Sequence, residues 1–383
     1  MRQFADSIAL ARRALNHLED HTTDQAPNTM RQDIDAYRDP VRYAHEMEHI
    51  FKRLPLALAL SIELAEPQTY RAMTVIGMPV LITRGMDGVA RAFINACRHR
   101  GAPVCAPGSG KTKQFVCPYH TWVYDHTGAL TAVYDEAKFG DLDKASLGLT
   151  ELPCAEKSGF IWVALTPGAR FDIDDWLGDF ADELDTIELE NWYLFEQRDL
   201  PGPGWKVCWD GYLEAYHHNS LHGRTVGKYT IGNLMLHDTY GPHQRIVFGR
   251  RSLRELNGVA EVDWQPDEHI RLIHSIFPNS SVSAVLNGSC LVSQVFPGPT
   301  LETTITRQSV LTAKKPETAE EIAAAELFSA TVLQAVVEED YNIGFKIQAG
   351  LASGGNDAFL YGRNEPAVQH YHRQVAKFVA ASD

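Results

Sequence analysis

A chain of 383 residues, 44% hydrophobic and 22% charged, is long enough for two domains with ample apolar core. Its formal charge of −14 excludes nucleic acid as a partner, and no Lys/Arg cluster offsets it. The longest apolar run, Leu54 to Ile62, is too short to span a membrane, and six cysteines in so long a chain do not make a disulfide scaffold.

Residues 1 to 20 carry Phe4, Ile8, Ala11 and Leu15 at helical spacing, which predicts an amphipathic helix. Acids and bases alternate there without an apolar core, so it is not a secretory signal, and a reducing cytoplasm is the expected location. His21 to Asn28 reads as a loop. Asp39-Pro40 opens a second helix that Pro55 closes. Within it, His45-Glu46-Met47-Glu48-His49 spells the zinc-protease pattern H-E-x-x-H. Met47, Ile50, Phe51 and Leu54 form the apolar stripe, so the expected role is an exposed charged helix with its histidines off the buried face.

From Tyr70 to Ala164 short strands alternate with turns, predicting a small all-β domain. It carries two ligand pairs, Cys97-x-His99 and Cys117-x-x-His120, with seventeen residues between them. One zinc ion could take all four ligands, or a [2Fe–2S] cluster could take both cysteines on one iron and both histidines on the other. The flanks favour the cluster: Arg100-Gly101, Pro118-Tyr119, Trp122 and Gly128 supply turns, backbone donors and a dry cover. Cys105 reads as a buried small residue, and His126 as exposed in a hairpin turn. Gly108-Ser-Gly-Lys-Thr112 ends like a phosphate-binding loop, but Cys105 stands where the motif needs its first glycine.

These loops resemble those of the Rieske non-haem iron oxygenases, whose pattern is Cys-x-His-Arg-Gly and Cys-Pro-Tyr-His-x-Trp. The resemblance implies a Rieske cluster held by Cys97, His99, Cys117 and His120.

Asp172 to Leu200 is acidic and rich in aromatics, and Pro201-Gly-Pro-Gly204 marks a break. A helix follows from Trp205. Strands are predicted over 272–276, 281–286, 290–296 and 303–310 as an antiparallel meander. Thr318-Ala-Glu-Glu321 is a capping box that opens a long helix to about Ala349.

The segment Trp205 to His222 holds three histidines. His217 and His222 are five apart, roughly 140° around a regular helix, so sharing a metal requires a widened π-type turn between them. A two-histidine site needs a carboxylate to complete a facial triad. On the C-terminal helix, Leu333, Val336, Val337, Ile343 and Ile347 define an apolar stripe that contains Asp340, whereas Glu338 and Glu339 read as surface charge. The family pattern maps onto Asp210, Gly211, Glu214, Tyr216, His217 and His222, and onto Glu339-Asp340 with Gln348-Ala-Gly350. It implies iron(II) ligands His217, His222 and Asp340. It also implies that Glu214 orients His217 and links it to His120 of a neighbouring subunit. Asp210 and Gly211 depart from the family's usual Glu-Asn.

The resemblance further implies an α+β fold. Residues 1–39 would be a leading helical segment, 40–166 a Rieske domain of β-sandwich type, and 167–383 a helix-grip catalytic domain. Electrons would come from a separate reductase or ferredoxin, in a homotrimer with or without β-subunits, and O₂ would be activated at the iron. Expected pocket walls are Thr225 to Leu236 with Ile276, Val282 and Val295. They are mostly apolar and point to a hydrophobic aromatic or polycyclic substrate, with a small quaternary ammonium compound as the alternative. An electron-transfer or ligand-binding protein with an empty iron site is the rival from another class.

Overall fold

The computed structural model describes residues 2–286 and 288–380. Among these no helix is long and apolar enough to cross a membrane. The chain divides into two compact units, one of residues 47–176 and 187–191, the other of 1–46, 177–186 and 192–383.

The smaller unit is built on an antiparallel five-stranded sheet. Its strands run in the order Glu151–Leu152, Ala90–Ile94, Met78–Arg84, Thr69–Val75, Gly108–Lys111. Gly108–Lys111 therefore pairs as a strand with Thr69–Ala72 and makes no phosphate loop. A three-stranded sheet of Leu56–Leu60, Phe160–Val163 and Cys154–Lys157 and a second of Phe115–Val116, Val123–Tyr124 and Leu130–Ala132 complete it. Phe93, Phe115, Trp122 and Tyr124 pack around Cys97 and Cys117 in one core. His126 is buried rather than exposed, because its Nε2 bonds the Thr112 carbonyl at 2.7 Å.

The larger unit holds a seven-stranded antiparallel sheet. In chain order its strands are β1 (Tyr193–Gly202), β2 (Thr230–Tyr240), β3 (His243–Arg250), β4 (Ile270–Ile276), β5 (Ser280–Leu286), β6 (Ser289–Pro297) and β7 (Thr304–Thr312). Their spatial order is β1-β7-β6-β5-β4-β3-β2. The apolar stripe of α1 (Arg2–Glu19) covers one face, with Leu10, Ala11, Ala14 and Leu15 against Leu234, Leu236, Val247 and Ile270. The other face, called inner below, meets α2 (Trp205–Tyr212) and α3 (Ala319–Leu333). Thr318 caps α3 as its sequence requires, accepting from the Glu321 N–H at 3.1 Å.

The helix carrying H-E-x-x-H differs from its expectation. It is α-helical over Pro40–Glu46 and π-helical over Met47–Phe51. Glu46 is fully buried, ion-paired to the buried Lys206 and at 3.1 Å to Arg42. It is a structural ion-pair member and faces no metal site. Burial disfavours the Lys206 ammonium, and Glu46 only partly compensates, so its pKa lies below the ordinary lysine value.

Candidate active site

In the smaller unit the two ligand pairs sit on loops of the same design. The Cys97 N–H donates to Ala102 O and the Cys117 N–H to Trp122 O, both at 2.8 Å. Gly101 and Thr121 return hydrogen bonds to the carbonyls of Cys97 and Cys117. Each loop turns through a residue of positive φ, Gly101 at 77° and Thr121 at 53°. Both cysteines are buried, while His99 and His120 are half-buried with ring centroids 4.5 Å apart. Trp122 stacks on His99, and the Tyr124 hydroxyl lies 3.3 Å from Cys97 Sγ. No three of these four residues bring ligand atoms within 4.8 Å of one another. A single zinc at bond lengths of about 2.0–2.3 Å would require that, so the spread donor set fits a two-iron group. Cys105 is half-buried, and burial pushes its thiol up to about 11, so it offers no thiolate.

In the larger unit, among the described residues, one trio does converge. The ligand atoms of His217, His222 and Asp340 all lie within 4.8 Å of one another. His217 Nε2 to His222 Nε2 is 3.1 Å, His222 Nε2 to Asp340 Oδ1 is 3.0 Å, and His217 Nε2 to Asp340 Oδ1 is 3.6 Å. Three bonds of about 2.1 Å at right angles place their donor atoms about 3 Å apart, the signature of one face of an octahedron.

The outer nitrogens dispose of the alternative, a simple hydrogen bond between the rings. His217 Nδ1 bonds Glu214 Oε1, and His222 Nδ1 bonds Glu339 Oε2 at 2.6 Å. A carboxylate only accepts, so each Nδ1 carries the proton and both Nε2 lone pairs face inward. Two lone pairs and a carboxylate oxygen pointed at one spot fit a cation.

The route to this geometry corrects two expectations. No π-turn separates the histidines. Helix α2 stops at Tyr212, residues 213–217 are irregular, and a single turn, His218–Leu221, places His217 and His222 at its two ends. Gly227 makes room, since a Cβ there would meet the carbonyl oxygens of His218 and His222 at 2.5 and 2.6 Å. The π-helix lies instead at Gln334–Tyr341, around Asp340. That widened turn also moves Glu339 off the surface, where only Glu338 remains, and exposes Val337, Ile343 and Ile347 from the expected stripe. Glu339 and Asp340, adjacent in sequence, thus hold opposite edges of the same His222 ring.

Glu214 also accepts the backbone N–H groups of Tyr216 and His217, the latter at 3.1 Å, so it organises the turn that presents His217. Asp210 is held by Tyr37 at 2.7 Å, Tyr361 at 2.9 Å and His372 at 2.7 Å, donors that no local sequence signal marks. A cavity of ≈ 550 Å³ lined by Asp210, Tyr212, Glu214, His217, Asp340 and Tyr361 opens beside the trio. His218 stays outside the trio, its ring edge-on to Phe248.

A Rieske-type loop pair and a two-histidine, one-carboxylate site in one chain define a non-haem iron oxygenase subunit. Residues 55–146 match the Rieske [2Fe-2S] domain and residues 189–381 the ring hydroxylating alpha subunit (catalytic domain); the chain belongs to that alpha-subunit family. The glycine betaine monooxygenase oxygenase subunit of Chromohalobacter salexigens is 33% identical over 190 residues, 49% of this chain and 42% of that protein. The chain spans about half the length of the curated relatives it matches. A quaternary ammonium Rieske monooxygenase in complex with L-carnitine superposes with TM-score 0.78 at 24% identity, covering 92% of this chain and 96% of that one. Naphthalene 1,2-dioxygenase from Rhodococcus sp. superposes with TM-score 0.74 at 19% identity, covering 98% and 99%. At such identities the two structures establish the shared fold.

Proposed function

We propose that this chain is the oxygenase component of a Rieske-type monooxygenase acting on a small quaternary ammonium compound. The observation that carries the reading is the convergence of His217, His222 and Asp340, with both outer imidazole nitrogens held by carboxylates. Cys97, His99, Cys117 and His120 would hold the cluster, and His217, His222 and Asp340 the iron(II). When bound, these groups supply electrons one at a time and open coordination positions for O₂. The protein's own part is to fix the two imidazole tautomers and to keep the trio at the end of a cavity.

The substrate class is supported by the relatives. The curated relatives include glycine betaine and carnitine monooxygenase subunits. Strand alternation puts Val295 on the inner face but Ile276 and Val282 on the opposite one, and the inner positions beside them are Ser275, Ser281 and Ser293. A quaternary ammonium compound therefore replaces the hydrophobic aromatic substrate as the preferred reading.

Glu214 faces the open cavity, whose mouth carries the exposed Ile343, Ile347 and Leu360. Exposed apolar side chains around a half-buried acid suit docking of a second copy's cluster domain, with His120 of that copy meeting Glu214. A ring-shaped homotrimer fed by a reductase or ferredoxin follows from this reading.

The test is O₂ uptake with NADH and a generic reductase across quaternary ammonium and aromatic compounds, alongside iron and sulfide counts. About three irons and two sulfides per chain with uptake coupled to a quaternary ammonium compound is the expected result. Coupling only to aromatics refutes the substrate class. Full metal loading without any coupled uptake favours the electron-transfer rival. Asp340→Ala should lose the chelatable iron and keep the cluster spectrum.

A further inference from the structure

Asp210, near the end of α2, lines the cavity beside the trio and gathers three donors from distant segments of the larger unit. The Tyr37 and Tyr361 hydroxyls donate to its Oδ2 at 2.7 and 2.9 Å, and His372 Nε2 lies 2.7 Å from its Oδ1. The two hydroxyls also touch each other, and they lie 3.0 and 3.2 Å from His372 Nε2. Tyr37, Tyr361 and His372 are 2–6% exposed, whereas Asp210 is half-buried at the cavity. Burial, and after it the Asp210 charge, pushes both phenols far above the ordinary tyrosine value, so both keep their protons.

A protonated phenol gives up an electron readily only when its proton can leave at the same time. Tyr37 and Tyr361 have a carboxylate in hydrogen-bond contact to take that proton, with an imidazole beside it. Neighbouring buried rings are not placed this way. Tyr371 donates to the Pro278 carbonyl at 2.6 Å, and the Tyr341 hydroxyl meets that of Thr306. Trp209 Nε1 makes no hydrogen bond among the described residues. Carbonyl and hydroxyl oxygens are too weakly basic to keep a proton, so the tyrosines at Asp210 are where an oxidised ring would settle. Aromatic contacts also lead there. Tyr361 lines the same cavity as His217 and Asp340. A second route runs inside the protein from Tyr212 on the cavity wall to Trp209, Tyr371 and His372, with successive ring centroids 5.8, 5.0 and 6.3 Å apart. His372 then stacks on Tyr361 at 5.2 Å.

We propose that Tyr361, with Tyr37, Asp210 and His372 around it, is a redox-active tyrosine that protects the metal site. Reduction of O₂ without a fitting substrate leaves a one-electron oxidant at the iron, beside His217 and His222. Tyr361 gives that centre one electron and passes its phenolic proton to Asp210, which leaves a neutral tyrosyl radical. A later electron from the redox partner and the proton held at Asp210 restore the phenol. The inference rests on His217, His222 and Asp340 holding iron.

Its test is electron paramagnetic resonance on the iron-loaded protein, cluster oxidised, mixed with hydrogen peroxide without substrate and frozen. An organic radical should appear, and its lines should narrow when the protein carries ring-deuterated tyrosine. Tyr361→Phe keeps the ring packed on His372, and Asp210→Asn keeps the shape without the base; both should lose the signal. Peptide mass spectrometry should then find more oxidation at His217 and His222 in both variants than in the wild type. Chelatable iron is counted first, and a wild type that takes up none refutes the trio's assignment and the proposal with it. In loaded protein, no tyrosyl signal from the wild type, or an undiminished one from Tyr361→Phe, overturns the proposal while the trio stands. Equal histidine oxidation in the wild type and both variants overturns the protective role. The deuterium comparison uses the unaltered sequence, so it decides whether a tyrosine is oxidised even where a variant fails to fold.

Discussion

Replacing Glu339 tests whether the ring of His222 is gripped from both edges. Its carboxylate is 10% exposed, accepts from His222 Nδ1 at 2.6 Å, and also accepts from the Thr225 hydroxyl. Glutamine keeps an acceptor for the Nδ1 proton but loses the charge. A charge-assisted hydrogen bond of about 1.5–3 kcal/mol then falls to about 0.5–1.5 kcal/mol. The loss of about 1–1.5 kcal/mol weakens metal binding about five- to tenfold. Alanine removes the partner altogether and leaves two buried donors unpaired, so Glu339→Ala should approach the upper end of the roughly 10–100-fold range for removed metal-orienting partners. Glu338 is the internal control, because it is one residue away and exposed. Competition between each variant and a chromophoric chelator for Fe(II) or Co(II) reads the affinity, with the cluster's visible spectrum as the check on folding. Metal affinity equal in Glu338→Ala and Glu339→Ala would refute the two-sided grip.

Glu214→Gln weakens the same kind of charge-assisted bond at His217 Nδ1, so it should lower metal affinity by a similar factor, about five- to tenfold. At full metal loading it should still slow single-turnover product formation; a wild-type rate at full loading removes its role as junction. Lys206→Met leaves the fully buried Glu46 with Arg42 alone and should cost about 3 kcal/mol in denaturant titrations. Adding Glu46→Gln should recover most of that, and a double variant no better than the single would sink the ion-pair account. Burial raises the Glu183 carboxyl pKa, but the His274 ring at 3.6 Å and the Arg245 guanidinium at 2.7 Å outweigh it, lowering it to about 2. A folded pKa depressed below an unfolded value of about 4.3 contributes stability above that value and loses it as pH falls toward 2, in all about 2–3 kcal/mol. Thermal midpoints of Glu183→Gln should therefore fall less steeply between about pH 4.5 and 2 than those of the wild type; parallel curves would contradict the shift.

Amino-acid order alone determined what local spacing can encode. Each cluster pair lies within one tight loop, His217 and His222 flank one turn, and Thr318 with Glu321 caps one helix, so residue type and separation suffice to mark them. The meander strands β4 to β7 were legible from their turn residues, whereas β1 was hidden because its charged and half-buried positions do not alternate cleanly. Long-range partners left no trace. Glu339 reaches His222 across 117 residues, and Asp210 is held by tyrosines and a histidine 151 to 173 residues away. The π-turn that turns Glu339 inward carried no signal in the residue spacing, which reads as a regular helix. A polar line across the sheet exists only because strand register brings Gln308, Ser293, Ser281, Ser275 and Gln244 abreast. Chemistry-bearing residue types are written in the chain, but which of them face one another depends on hairpin register and helix phase, and those are settled only when the sheet and its helices close on each other.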